Sequence, residues 1–425
     1  MPHKAVVSVT NGDPRTIWNA KDRDDPVPAF AALRELGAVH RVALDDGVEA
    51  WLIVRYDEAK SALGDMRLSK DMHAALQASG SVVSEGLPGP ALARHMLAVD
   101  PPDHSRLRRL VAKAFTNSRV DALRPRVQHI ADELLDRAGD GNAGRTVDLV
   151  AAYAFPLPFT VICELLGIAT TDRDAFGTDL RVLLTPADTP DATHRARQAS
   201  DAVVRFLEGL LEAKRMTPGD DLVTDLISAH DGNDQLTEQE LLSTIFQLIV
   251  AGHDTTSTLI GNGVVALLDH PSDLARLRAD PTLMPLAIDE ILRFDAPVPH
   301  STFRYAAEPV DVAGTMIPAG EQVIISLASA NHDEIRCQGA DEFVMDRPEQ
   351  HHLAFGHGIH FCLGARLARI EADVAITTLL GRFPDLHLAV PRDALRWGHG
   401  DGLVLRGLSE LPVVLGPPAR AARMS

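Results

Sequence analysis

Cys362 stands in the run Phe355-Gly356-His357-Gly358-Ile359-His360-Phe361-Cys362-Leu363-Gly364-Ala365-Arg366, a single thiol in a glycine-rich loop. Leu363, Leu367, Ile370 and Val374 then recur at helical spacing, with Arg366, Arg369 and Glu371 between them, which predicts a helix starting at or near the cysteine. Helix N-terminal amides and the helix dipole favour thiolate over thiol. Gly356, Gly358 and Gly364 permit close backbone approach, so the loop can cradle a flat, bulky group. A thiolate so placed is a strong axial ligand for haem iron and favours O–O cleavage there. Two plainer readings compete. An isolated cysteine is commonly a small buried hydrophobe. A zinc cluster of His351, His352, His357, His360 and Cys362 would need a second ligand knuckle, and the sequence offers none.

Three further sets of residues could do chemistry. The longest apolar stretch, 241–268, contains Ala251-Gly252-His253-Asp254-Thr255-Thr256, an acid and a hydroxyl inside a core helix. A mid-helix threonine can bond back to the preceding turn and bend the helix, or the groove opened there can hold water. Beside a haem-thiolate, Gly252 would let dioxygen approach while Asp254 and Thr255 hand it protons. Glu290-Ile291-Leu292-Arg293 sets an acid and a base three apart on one helix face, which at a surface stabilises by only about 0.3–0.5 kcal/mol. Asp103-His104-Ser105-Arg106-Leu107-Arg108 places His104 and Arg108 one helical turn apart, able to grip one carboxylate together.

Phe355, Gly358, Cys362 and Gly364 match Phe-x-x-Gly-x-x-x-Cys-x-Gly, and the chain is identified by this resemblance as a member of the cytochrome P450 superfamily. The resemblance covers nearly the whole chain. It implies haem b held by Cys362 as axial ligand, and an acid-alcohol pair at Asp254 and Thr255, where the family more often has Glu at the acid position. Glu290 and Arg293 resemble the family's structural Glu-x-x-Arg, whose third partner is left open between Arg347, the nearest basic candidate, and the position of Glu342. By the same resemblance the haem propionates meet His104, Arg108, Arg304 of Phe303-Arg304-Tyr305, and His360. Electrons are implied to come from NAD(P)H through a ferredoxin reductase and a ferredoxin, since no flavin or iron-sulfur motif is visible. Runs such as Leu259-Ile260-Gly261-Asn262-Gly263 resemble the actinobacterial branch that tailors polyketides and macrolides. The implied activity is a monooxygenase of antibiotic biosynthesis that hydroxylates or epoxidises a bulky, largely apolar secondary metabolite. An oxidative coupling or ring-forming enzyme of the same family and a haem-based sensor are the alternatives. Substrate-facing residues are implied in segments 69–98, 180–199 and 298–303, near Leu248, Ala251 and 401–403, with His300 and Ser301 as orienting polar groups and 186–190 as part of a lid.

The elements that must position these groups read as mainly α with small β-sheets (α+β), a helical body with a β-rich N-terminal side. Runs 39–44 and 49–54 flank Asp45-Asp46-Gly47 as a hairpin, 101–279 is dominantly helical, and 310–327 is strand-like with turns at Ala313-Gly314 and Pro318-Ala319-Gly320. No linker divides residues 1–425, so a single domain is expected, with 1–25 as a flexible N-terminal segment. That segment is polar, without a signal or membrane-span run, and the expectation is a cytoplasmic protein that does not enter a membrane. Cys163, Cys337 and Cys362 lie far apart, which is no disulfide framework. The formal charge of −18 argues against a nucleic-acid partner. Arg106, Arg108, Arg109 and Lys113, with Arg366 and Arg369, are basic exceptions that are either solvated helix faces or a dock for an acidic electron carrier.

Overall fold

In the computed structural model, residues 15–16, 24–44, 49–72, 89–140, 144–185, 189–230, 236–348, 351–398 and 403–419 are described. The apolar stretch forms one long helix, Glu238–Asp269, buried over most of its length. Its start is fixed by a capping box: Thr237 Oγ1 accepts from the Glu240 amide, and the Glu240 carboxylate accepts from the Thr237 amide at 2.8 Å. Such a cap stabilises by about 1 kcal/mol. The long helix packs against Pro156–Leu165 on one side and the cysteine helix, Ala365–Arg382, on the other; the cysteine helix in turn rests on Arg124–Gly139. Leu241, Ile245, Ile249, Ile260 and Val264 are all buried at this junction. Truncating one of them to Ala costs about 2–5 kcal/mol.

The strands are β1 (Arg15–Thr16), β2 (Val39–Ala43), β3 (Glu49–Ile53), β4 (Leu68–Ser69), β5 (Thr146–Asp148), β6 (Arg304–Ala306), β7 (Val310–Val312), β8 (Thr315–Ile317), β9 (Gln322–Ile325), β10 (His387–Leu388) and β11 (Pro412–Val414). A six-stranded sheet has the order β1-β2-β3-β9-β6-β4, so the β-rich side is shared between the N-terminal region and residues 304–325. Strands β2 and β3 pair antiparallel as the hairpin reading requires, while their turn at 45–47 lies outside the described residues. Within the segment expected to be flexible, Arg15–Thr16 pairs in parallel with β2. Strands β7 and β8 form a hairpin whose corner, Ala313 and Gly314, takes positive φ at 51° and 81°. The sheet β10-β11-β5, the π turn Val150–Ala154 and the short helix Leu327–Asn331 carry no sequence signal of comparable strength.

Helix Asp103–Ala114 buries His104, Leu107, Leu110, Val111 and Ala114 on one stripe, which is the helical period with a histidine on its apolar face. That stripe brings His104 and Arg108 to the wall of a central cavity. Among the described residues no helix is long and apolar enough to cross a membrane.

Candidate active site

A cavity of about 1250 Å³ lies between the long helix, Asp103–Ala114, Arg173–Leu184 and the cysteine loop. Cys362, His104, Arg108, Arg304, His360, Asp254 and Thr255 all line it. The loop is closed by its own backbone, with the Gly356 amide donating to Leu353 at 2.7 Å and the Cys362 amide to Phe355 at 2.9 Å. Gly358 has φ +74°, and a Cβ there would sit 3.1 Å from the Leu63 carbonyl and the Gly64 Cα, so only glycine fits this approach. Gly364 is the N-cap of Ala365–Arg382, as the periodicity predicts. The thiol of Cys362 opens onto the cavity, and burial raises its pKa above the ordinary value. The Gly364 and Ala365 amides and the cations Arg108 and Arg369 pull the other way. The expected thiolate-favouring groups are therefore present but outweighed by desolvation in the protein alone.

Positive and imidazole groups gather on one wall. Arg108 Nη2 donates to the Phe361 carbonyl at 2.6 Å. The rings of His104 and His360 lie 4.4 Å apart, centroid to centroid. Arg304 reaches the carbonyls of Leu63 and Leu68 at 3.2 and 3.3 Å, and burial pushes its pKa down to about 10. Burial and the neighbouring His104, Arg304, Lys70 and Arg108 hold His360 far below its usual range. Lys70, within the segment 69–98 expected to face the substrate but not singled out there, lines the same cavity, donates to the Thr302 carbonyl at 3.0 Å and the Phe303 carbonyl at 2.9 Å, and burial lowers it to about 7. Neither ring nitrogen of His104 nor Arg304 Nε has a hydrogen-bond partner among the described residues.

On the long helix, Thr255 Oγ1 donates back to the Ala251 carbonyl at 2.9 Å, the mid-helix bond that its position predicts. Asp254 Oδ1 lies 3.2 Å from His253 Nε2. Gly252 lines the cavity beside Ala251, and a Cβ there would also meet Ile162 at 3.1 Å, so its missing side chain serves the packing of the long helix on Pro156–Leu165 as well. Glu371 departs from expectation: it is buried, lines the cavity, and burial pushes its carboxyl up to about 8 against a hydrogen bond from Thr256.

Glu290 and Arg293 do not line the cavity; both side chains are fully buried. Two bonds of 2.8 Å join them, and Arg293 also donates to the carbonyls of Asn331, Ala340 and Glu342 at 3.0, 2.7 and 2.9 Å. Arg347 is the third partner, its Nε 3.5 Å from Glu290 Oε1, whereas Glu342 contributes its backbone carbonyl. Several surface cations are already paired: Arg106 with Glu240 at 2.5 Å, Arg366 with Asp121 at 2.6 Å, and Arg369 with Asp289 at 2.9 Å while stacked over Phe355.

The cavity's other walls carry Met96, Leu97, Leu180, Leu184, Leu248, Val298, Ser301 and Val404. Of the lid stretch, 186–188 lies outside the described residues, as do 73–88 and 401–402 of the expected substrate segments. His300 requires a correction: it is fully buried, meets Phe30 edge-on at 5.6 Å and bridges to Ser326, away from the cavity lining.

Residues 178–395 match the family description "Cytochrome P450". Cytochrome P450 107B1 of Saccharopolyspora erythraea is 47% identical over 399 residues, 93% of this chain and 95% of that protein. The chain belongs to the cytochrome P450 family. The mycinamicin IV hydroxylase/epoxidase of Micromonospora griseorubida is 40% identical over 387 residues, 91% of this P450 and 94% of that one. The solved structure of the tirandamycin C-bound P450 monooxygenase TamI is 41% identical and superposes with a TM-score of 0.84 over 95% of this chain and 100% of that one. This P450 is a monooxygenase with the mainly helical fold of that family.

The family carries haem, and the site fits it. A thiol stands at the floor of a wide apolar cavity, a glycine whose Cβ would clash shapes the loop beneath, and unpartnered nitrogens of His104 and Arg304 sit in a positive wall suited to two carboxylates.

Proposed function

We propose that this P450 hydroxylates or epoxidises a bulky, largely apolar polyketide or macrolide-type metabolite. The observation that carries the proposal is the meeting of Cys362, the cationic wall and the Asp254–Thr255 pair around one large apolar cavity. Thiolate-ligated haem, when bound, supplies activation of dioxygen.

Within this reading Cys362, as a thiolate just before the N-terminus of the cysteine helix, would hold the haem iron, with the Gly364 and Ala365 amides and Arg108 stabilising the negative sulfur. His104, Arg108, Arg304 and His360 would take the haem propionates, whose charge would answer the positive wall. Asp254 and Thr255 move protons from the solvent side of the long helix to the cavity, with the Thr255 hydroxyl held in place by the Ala251 carbonyl. Leu248, Ala251, Leu180 and Val298 exclude water and hold the apolar face of the substrate, and Ser301 and Gln247 offer it polar contacts. Relatives that act on mycinamicin IV or bind tirandamycin C support this substrate class.

Electrons arrive from NAD(P)H through a ferredoxin reductase and an acidic ferredoxin in the cytoplasm. Arg109 and Lys113 are exposed on the helix that carries His104, and Arg366 is half exposed beside the cysteine loop. Reversal of Arg109 or Arg366 to Glu slows reduction with haem retained; unchanged rates remove this docking surface.

The test is a spectral titration of the purified protein with a panel of polyketide lactones, fatty acids and terpenes, followed by turnover in isotope-labelled dioxygen. Tight binding of a polyketide and one labelled oxygen in its product support the proposal. Tight shifts with fatty acids or small terpenes alone, or a product without labelled oxygen, contradict it.

A further inference from the structure

His253 and Asp254 are consecutive residues of the long helix, and consecutive helical side chains ordinarily do not face one another. Here His253 Nε2 comes within 3.2 Å of Asp254 Oδ1. The other ring nitrogen explains how. His253 Nδ1 lies 2.7 Å from the carbonyl oxygen of Ile249, one turn back, and this fixes the ring. Phe155 and Phe159 hold it edge-on, at centroid distances of 5.4 and 5.5 Å, and its exposure is 2%.

A backbone carbonyl can only accept, so Nδ1 carries a hydrogen. A neutral imidazole has a single N–H, which would leave Nε2 with a lone pair 3.2 Å from a carboxylate oxygen. Two acceptors at that distance in a buried place repel each other unless a proton lies between them.

We propose that His253 is a positioning residue for Asp254, and that the two share one proton between Nε2 and Oδ1. In one form the pair is imidazolium and carboxylate. In the other the proton has crossed to Oδ1, leaving a neutral ring with its hydrogen on Nδ1 and a carboxylic acid facing the cavity. When Asp254 passes that proton on, one from solvent water replaces it and the pair is restored. The aromatic walls hold the ring in register, and the carboxyl is loaded before it is called on. From neighbouring elements, Arg181, whose guanidinium lies over Phe155 at 5.5 Å, Asp148 and Glu371 line the same cavity, together with Lys70, His95, His104, Arg108, Arg304, His357, His360 and Cys362. The proposal rests on the reading of Asp254 as the proton-delivering acid.

The experiment uses the haem-loaded protein, reduced and bound to carbon monoxide so that the iron is diamagnetic, with ring-nitrogen-labelled histidine. NMR then counts the protons on each imidazole at neutral pH. His253→Phe identifies the His253 signal by its loss, and His253→Gln does so if the first variant fails to fold. The expected result is a His253 ring with hydrogen on both nitrogens in the native protein, reverting to hydrogen on Nδ1 alone in Asp254→Asn. A native His253 bearing one hydrogen, or a second hydrogen that persists in Asp254→Asn, overturns the proposal. Turnover of Asp254→Asn decides separately whether Asp254 delivers protons: full product yield there overturns that role, and with it the delivery half of this proposal, whatever the NMR shows.

Discussion

Arg108 donates its Nη2 hydrogen to the carbonyl of Phe361 at 2.6 Å, tying helix Asp103–Ala114 to the residue that precedes Cys362. One guanidinium thus braces the cysteine loop while sharing a wall with His104, Arg304 and His360. Removal of a charge-assisted bond from such a site costs about 1.5–3 kcal/mol. Arg108→Leu is therefore expected to release haem roughly 10–100 times faster than the native protein, measured by transfer to an acceptor apoprotein. Arg108→Lys keeps the charge but not the fork, and falls between the two.

The Thr255 hydroxyl is held by the Ala251 carbonyl at the cavity wall. Thr255→Ala and Asp254→Asn are each expected to lower product formation on the order of 10²-fold, while the haem spectrum and substrate-binding shift stay native. Asp254→Glu retains most of the activity, since it restores a carboxyl at the same position. Native product yield in both Thr255→Ala and Asp254→Asn would remove the proton-delivery reading.

Glu290 and Arg293 are both fully buried, so loss of either partner strands a charge in the core. Arg293→Ala is expected to destabilise by about 3–5 kcal/mol in chemical denaturation and to reduce the haem content of the purified protein. Arg347→Ala costs less, because Glu290 keeps its two bonds to Arg293 and the Val344 amide.

This pair also marks how far the sequence could be read. Glu290 and Arg293 were recognisable by type and spacing, but nothing in a three-residue interval says whether a pair faces water or the core. The periodicity after Leu363 correctly placed the cysteine helix, because its apolar residues are the ones buried. The same periodicity put Glu371 on the polar side, since hydropathy has no means to anticipate a carboxyl kept in the core. His300 was misplaced for a related reason: the direction in which a residue points depends on a partner distant in sequence, here Phe30. Lys70 fell within a segment expected to face the substrate, but a lone lysine in a polar stretch carries no pattern that singles it out.

Glu371 gives a pH dependence of defined sign. Its carboxyl rises from 4.5 to about 8 on folding through burial, so across that window the native state keeps a proton that the unfolded chain releases. Stability contributed at this site is full below the lower value and falls as pH rises toward the upper one, by at most about 1.4 kcal/mol per pH unit. Glu371→Gln removes the titration. Denaturation of native and variant protein at about pH 5 and about pH 8 is expected to show the variant losing less stability over the interval.

The ligand role of Cys362 underlies every other assignment. The most direct test is the difference spectrum of the reduced protein with and without carbon monoxide, recorded for the native chain and for Cys362→His. The account predicts the red-shifted Soret band of thiolate-ligated haem in the native protein and its replacement in the variant by the band of a histidine-ligated haem. A native spectrum of the histidine type, or a thiolate band that survives the substitution, would contradict it.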